Sequence, residues 1–275
     1  MLDSDQDLRF SAVRNSAPKR LTAEQIDRYN TQGFVQPFDI FPGDEIAAIR
    51  DRIDRHMDDL GAEGAYGINC YQARLSSLWD IATDPRILDH VEDLIGPNIL
   101  CWATAILSKK PHDPKAVPWH QDASFWALSP ARTVTVWLAI DDADEANSAM
   151  RFIPGTHDKG ALPVATTEGG TNVFHKGTAN ADAMGTPFTN NLKAGQISMH
   201  ADMLVHGSRA NVSDRRRCGF TLRYCPPEVR ITDETWARGV EAILCRGDAG
   251  DWRTHPRPRN DDITKTNSPH VVGNN

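Results

Sequence analysis

His120 and Asp122 stand two residues apart in Pro118-Trp119-His120-Gln121-Asp122. On an extended strand that spacing puts both side chains on one face, because successive side chains alternate. A neutral imidazole and a carboxylate can then share one metal ion, and His206, 84 residues beyond Asp122, supplies a third ligand. Two histidines and one carboxylate form the facial set that holds Fe(II) and leaves positions for a co-substrate and O2. His200 and Asp202 repeat the spacing. Together with His206, however, they are too local in the chain to converge on an ion without a partner strand. His120, Asp122 and His206 are therefore the expected ligands, with a set built on His200 and Asp202 as the competitor. Eleven residues after His206 comes Arg217, beside the β-rich run Cys218 to Tyr224. A guanidinium there can grip the far end of a dicarboxylate co-substrate bidentately. Arg215 and Arg216 read as a solvated basic turn.

These residues need a scaffold. Thr22 followed by Gln25 is a capping box that starts a helix near Leu21. Ile46, Ile49, Ile53 and Met57 repeat at helical spacing over Glu45 to Leu60, and Pro85 to Leu94 is a further helix stopped by Gly96-Pro97. From Ile99 onward the pattern changes to short β-rich runs: Ile99 to Ser108, Thr133 to Ile140, Met150 to Pro154, Gln196 to His200 and Gly219 to Tyr224. The stretch from Asp158 to Asn191 reads as a long irregular insertion. Helices followed by many short strands predict a mainly β fold with flanking helices, a sandwich or barrel rather than an alternating βαβ fold. Residues 1–20 read as a flexible N-terminal arm, 21–247 as a single catalytic domain and 248–275 as an irregular polar extension.

Composition narrows the classes. The chain of 275 residues carries 30 Lys+Arg against 37 Asp+Glu, a net charge of −7 without a basic block, which argues against nucleic acid as a partner. No run approaches the roughly 18 apolar residues of a membrane span, and the polar start resembles no secretory or transit signal. Five cysteines without a CxxC spacing fit reduced thiols, so a cytoplasmic chain is expected. No heptad or apolar stripe indicates an oligomeric state.

Taken together, Trp119-His120-Gln121-Asp122, the turn Pro154-Gly155-Thr156-His157, and His206-Gly207-Ser208 followed by Asn211-Val212-Ser213 and Arg217 resemble the phytanoyl-CoA dioxygenase family. This branch of the Fe(II)/2-oxoglutarate oxygenases includes ectoine hydroxylases. The likeness runs from about Leu21 to Pro227. It implies a double-stranded β-helix, a cupin-like jelly roll buttressed by N-terminal helices, with iron at its open end. By matching position it implies His120, Asp122 and His206 as iron ligands and Arg217 on the C5 carboxylate of 2-oxoglutarate, assisted by Ser208. Trp137 matches a tryptophan near the co-substrate, and Trp126 an aromatic residue near the iron. The implied reaction is 2-oxoglutarate-dependent hydroxylation of an unactivated C–H bond, with release of succinate and CO2. Relatives that halogenate have a small residue at the carboxylate position, so Asp122 favours hydroxylation.

The candidate pocket residues, among them Asn69, Tyr71, Lys110, Ser124 and Trp126, are mostly polar with a few aromatics. They point to a small polar or anionic metabolite as the substrate. An acyl-CoA thioester is the alternative if Lys109, Lys110 and Lys115 cluster into a phosphate-binding surface. A cupin-type metalloenzyme without 2-oxoglutarate would leave the offset of Arg217 without purpose, and a pure binding module has no need of an open iron face.

Overall fold

The computed structural model describes residues 6–167 and 171–267. Helix α1 (Ala23–Gln32) starts where the capping box places it: the Thr22 hydroxyl accepts from Gln25 N–H at 3.2 Å, and the Gln25 side chain accepts from Thr22 N–H at 2.8 Å. It stops at Gly33, whose φ of 84° is left-handed and whose missing Cβ makes room for the buried His157 ring. Strand β1 (Phe34–Asp39) follows, then α2 (Gly43–Asp59), α3 (Gly64–Gly67), α4 (Ser76–Ala82) and α5 (Pro85–Ile95). The remaining strands are β2 (Ile99–Lys109), β3 (Val117–His120), β4 (Leu128–Ser129), β5 (Val134–Ala139), β6 (Arg151–Phe152), β7 (Val164–Thr166) and β8 (Lys176–Thr178). After these come β9 (Phe188–Thr189), β10 (Gln196–Ala201), β11 (His206–Ser208), β12 (Arg217–Cys225), β13 (Arg230–Ile231) and β14 (Ile243–Arg246).

The strands form a six-stranded sheet ordered β1-β10-β5-β12-β2-β14 and a four-stranded sheet ordered β3-β11-β6-β9, antiparallel throughout. Their inner faces meet: Phe34 stacks on Phe152 at 4.6 Å, and His200 lies 4.8 Å from His206. This is the expected double-stranded β-helix with helices packed outside it.

Register divides the large sheet into two chemistries. Ile197, Leu138, Phe220 and Ile106 stand side by side across β10, β5, β12 and β2, with Met199, Val136 and Leu222 in the next such row. All are buried in the main core with Ile46, Ile53, Leu78, Ile87 and Val91 of the helices. Each such side chain contributes about 1.5–3 kcal/mol on burial. The opposite face is polar: His200, Thr135, Arg223 and Ala103 form one row, and Ser198, Trp137, Thr221 and Ala105 the next. The apolar face glues the sheet to its helical buttress, and the polar face lines the interior.

The ends of the chain are more closely held than the composition predicts. Residues 6–20 contain no helix or strand, but Leu8 is buried against Ala123, Ala131 and Met203, and the buried Asp93 carboxylate accepts the N–H groups of Lys19, Arg20 and Leu21 at 2.7–2.8 Å. The described part of the expected flexible arm is thus pinned to the body; residues 1–5 lie outside the described residues. In the polar extension, Ile263 joins the main core and Asp261 accepts from Ser77 N–H at 2.7 Å, while 268–275 lie outside the described residues. The expected irregular insertion carries the β7–β8 hairpin, which brings Phe174 to 5.3 Å from His120. No described helix is long and apolar enough to cross a membrane.

Candidate metal centre

His120 and His206 are direct cross-strand partners on the β3–β11 ladder, so pairing of two strands far apart in sequence sets one imidazole beside the other. The expected strand ends at His120. Gln121 remains extended, with φ −103° and ψ 123°, and Asp122 opens a 3-10 turn over Asp122–Phe125. The alternation therefore holds for one residue beyond the ladder, which is enough to turn the carboxylate back beside the imidazole. His120 Nε2 lies 3.5 Å from Asp122 Oδ1, and His206 Nε2 lies 3.9 Å from Asp122 Oδ2. Among the described residues this is the one group of three histidine, cysteine or acidic side chains close enough to share an ion.

Main-chain acceptors hold the ligand atoms in place. His120 Nδ1 bonds Pro118 O at 2.8 Å and His206 Nδ1 bonds Leu204 O at 2.9 Å, which makes Nδ1 the donor and leaves both Nε2 lone pairs for a metal. Gln121 ties the two ligand segments together, donating to Met203 O at 2.8 Å. Thr156, in the Pro154–His157 turn, accepts from Val205 N–H at 3.0 Å, next to His206. Burial pushes the Asp122 carboxyl up, but His206, Arg223 and His120 outweigh it and hold it well below the usual carboxylate range. Burial and the neighbouring His120 bring His206 down to about 4. An ionised carboxylate beside a neutral imidazole is the protonation state that metal binding requires. This donor set fits a divalent transition ion.

The competing pair has other roles. Asp202 accepts from Thr133 N–H at 2.9 Å, and its carbonyl accepts from Ala123 N–H at 3.0 Å, holding the Asp122 turn in place. His200 packs behind His206 with neither ring nitrogen partnered.

At the far end of the interior, Arg217 faces Lys109 across the β12–β2 ladder, and both are buried. Ser208 Oγ accepts from Lys109 Nζ at 2.8 Å and from Arg217 Nη2 at 3.4 Å. Lys109 also donates to Ser148 Oγ at 3.2 Å and to the Arg209 carbonyl. The Arg217 guanidinium stands 5.8 Å from the Trp137 ring centre. Burial and the adjacent Arg217 push the Lys109 ammonium down to about 6. Neither basic group pairs with a carboxylate among the described residues, so a carboxylate ligand has an unpaired cationic site waiting for it.

Sequence reasoning placed Arg217, Ser208 and Trp137 in this pocket and missed Lys109, choosing its neighbour. Lys110 is exposed at the end of β2, because alternation turns Lys109 inward and Lys110 outward. Tyr71 is 2 % exposed within the main core and cannot face a substrate, because the turn after Cys70 folds its ring against the helices. Asn69 bridges to Ala105, of the inner row that includes Trp137, and donates to Tyr66 O. Trp126 is buried in a second cluster with Trp102, beside Arg223. With Lys109 internal, the lysine surface imagined for a CoA group does not assemble. Arg215 and Arg216 are paired rather than merely solvated, with Asp144 and with Asp141 and Asp54.

A family model for phytanoyl-CoA dioxygenase (PhyH) matches residues 29–219. Peroxisomal phytanoyl-CoA dioxygenase of Bos taurus is 28% identical over 163 residues, 57% of this chain and 48% of that protein. The chain spans about half the length of the curated relatives it matches. Among solved structures, the apo form of ThoJ, a non-heme monooxygenase, superposes with a TM-score of 0.74 at 29% identity, covering 86% of this chain and 88% of that one. EctD from S. alaskensis with 2-oxoglutarate and 5-hydroxyectoine gives 0.69 at 17% identity, covering 98% and 95%, a likeness of fold.

Proposed function

The chain belongs to the phytanoyl-CoA dioxygenase family, and on that premise we propose that it is an Fe(II)- and 2-oxoglutarate-dependent dioxygenase. It hydroxylates an unactivated C–H bond of a small polar or anionic metabolite. The observation that carries this reading is the pairing of two sites in one interior. One is a three-ligand set with both Nε2 lone pairs free, and the other is a buried basic pocket, Arg217 with Lys109, that lacks a counterion.

His120 Nε2, Asp122 and His206 Nε2 would hold the iron, and Arg217, Lys109 and Ser208 the distal carboxylate of 2-oxoglutarate. When bound, iron and co-substrate supply the oxidation: O2 and 2-oxoglutarate are converted to succinate and CO2, and a substrate C–H becomes C–OH. The protein contributes position and dryness. The two Nδ1 hydrogen bonds fix the imidazole planes, and ionised Asp122 fills the carboxylate position, which favours hydroxylation over halogenation. Trp137 walls the pocket of Arg217 and keeps water from its guanidinium. Phe174 covers His120 from the insertion.

Mixing the protein with Fe(II) and 2-oxoglutarate under nitrogen should give a weak visible charge-transfer band, and aerobic incubation should release succinate. Asp122→Ala should weaken the band, because iron keeps only two protein ligands, and should abolish hydroxylation. A variant that kept full 2-oxoglutarate turnover would remove Asp122 from the ligand set.

A further inference from the structure

Arg223 lies on β12 six residues beyond Arg217 and on the same inner face, about 20 Å along the strand at roughly 3.3 Å per residue. Its cross-strand partner is Thr135, whose hydroxyl stands 3.5 Å from Asp122 Oδ2, so Arg223 emerges beside the metal ligands rather than at the co-substrate end. The guanidinium sits 5.0 Å from the ring centre of Trp126 and 5.9 Å from that of Trp102. It is half-buried and makes no ion pair among the described residues. Of the other half-buried arginines, Arg50, Arg74, Arg216 and Arg246 each pair with a carboxylate, and Arg151, stacked over Trp119 away from the Trp102 cluster, does not.

Its neighbours share this lack of acceptors. Arg223 Nε, Trp102 Nε1 and Trp236 Nε1 are all buried donors without a partner, and Ser124 Oγ, in the turn that carries Asp122, is unpartnered as well. The ring centre of Trp102 lies 4.7 Å from that of Trp126 and 5.5 Å from that of Trp236, and the Arg223 guanidinium lies 5.9 Å from Trp102, so the side chains that carry these donors pack in one cluster. Burying a donor without an acceptor is unfavourable, and burying a cation without one more so. Asp122 feels this charge but is committed to the ion site. A cluster of donors and a cation with no acceptor fits a ligand that is anionic and rich in acceptors.

We infer that the primary substrate carries an oxyanion, a carboxylate or phosphonate, received by Arg223 with the indole N–H groups of Trp102 and Trp236. The inference takes its reaction from the oxygenase reading, while the binding site stands on these three donors alone. Two cations then bracket the metal ligands: Arg217 at the co-substrate end and Arg223 at the substrate end. The indoles of Trp102 and Trp126 wall the substrate's anionic end and leave its C–H-bearing part toward His120 and Asp122.

Methylphosphonate titrated into the metal-free protein, followed by tryptophan emission, tests this without needing turnover. The wild type and Arg217→Gln should show a saturable change. Arg223→Gln should bind at least tenfold more weakly, Arg223→Lys should be intermediate, and Trp236→Phe should weaken binding while keeping the ring. Circular dichroism melting checks that each variant is folded. No saturable change in the wild type, full binding by Arg223→Gln, or loss in Arg217→Gln instead would overturn the proposal. Loss of 2-oxoglutarate binding with methylphosphonate binding intact would count against the oxygenase reading and leave the oxyanion site standing.

Discussion

Replacing Lys109 with methionine removes a basic group while preserving the length and apolar volume of the side chain. Lys109 Nζ reaches Ser208, the residue that also accepts from Arg217, so a carboxylate in that pocket meets both groups. A hydrogen bond to a charged group is worth about 1.5–3 kcal/mol, or roughly 10- to 150-fold in affinity. Burial and Arg217 hold the free ammonium at about 6. Carboxylate binding should raise that value by the same free energy, to roughly 7–8 at 1.36 kcal/mol per unit. The sign follows. The complex binds more protons than the free protein between about 6 and the raised value, so affinity for 2-oxoglutarate falls as pH rises through that window and levels off on either side. Lys109→Met should therefore weaken binding roughly 10- to 100-fold at pH 6 and much less at pH 8.5. Titration calorimetry of the Fe(II)-loaded protein under nitrogen, at pH 7 in PIPES and in Tris, should show uptake of a fraction of a proton by the wild type and none by the variant. Equal affinity across pH 6 to 8.5, or unchanged proton uptake in Lys109→Met, would refute this assignment.

Two further changes test the scaffold around the pocket. A Cβ on Gly219 would stand 2.0 Å from Trp137 Cζ2, and the indole is fully buried, so Gly219→Ala should cost about 1–3 kcal/mol in a urea titration and weaken 2-oxoglutarate binding by shifting the wall of Arg217. An unchanged midpoint would show that the indole has room to move. Asp93→Ala strips three backbone N–H groups of their acceptor and should destabilise by about 3 kcal/mol, with new proteolytic cleavage within residues 6–20. Resistance to protease equal to that of the wild type would mean that Leu8 and its neighbours hold the arm unaided.

What was legible in the sequence had short-range causes. The start of α1 and strands β2, β5, β10 and β12 of the large sheet were readable because capping and runs of β-favouring residues are written within a few residues, whereas β14 carried no such run. The HxD pair and its distal histidine were readable because a metal restricts residue types severely. Helix α4 was not, because its first donors are satisfied from elsewhere: Ser76 N–H by Asn260 O and Ser77 N–H by Asp261. A helix capped by residues some 184 positions away carries no local start signal. Lys109 was missed for a similar reason. Its inward direction depends on the β2–β12 register, and Lys110 beside it is chemically identical. The choice of Tyr71 rested on residue type, which does not report which way a ring turns.

Arg223 was within reach of the sequence, since even spacing from Arg217 on one strand puts both on the same face. Its partners were not. On the β2 side the ladder pairs Arg223 with Ala103 and Tyr224 with Cys101, leaving Trp102 as the extra residue of a bulge. A bulge breaks strict alternation and re-aims a side chain, and bulges gather beside active sites for that reason. Here it brings the Trp102 indole to the guanidinium of Arg223, although its neighbour Ala103 already occupies the inner row. The helical side of the sheet remains closed by Tyr224, which donates to Ala82 O at 3.0 Å. One inserted residue thus supplies a donor to the interior without disturbing the buttress, and the oxyanion site is a product of register as much as of residue type.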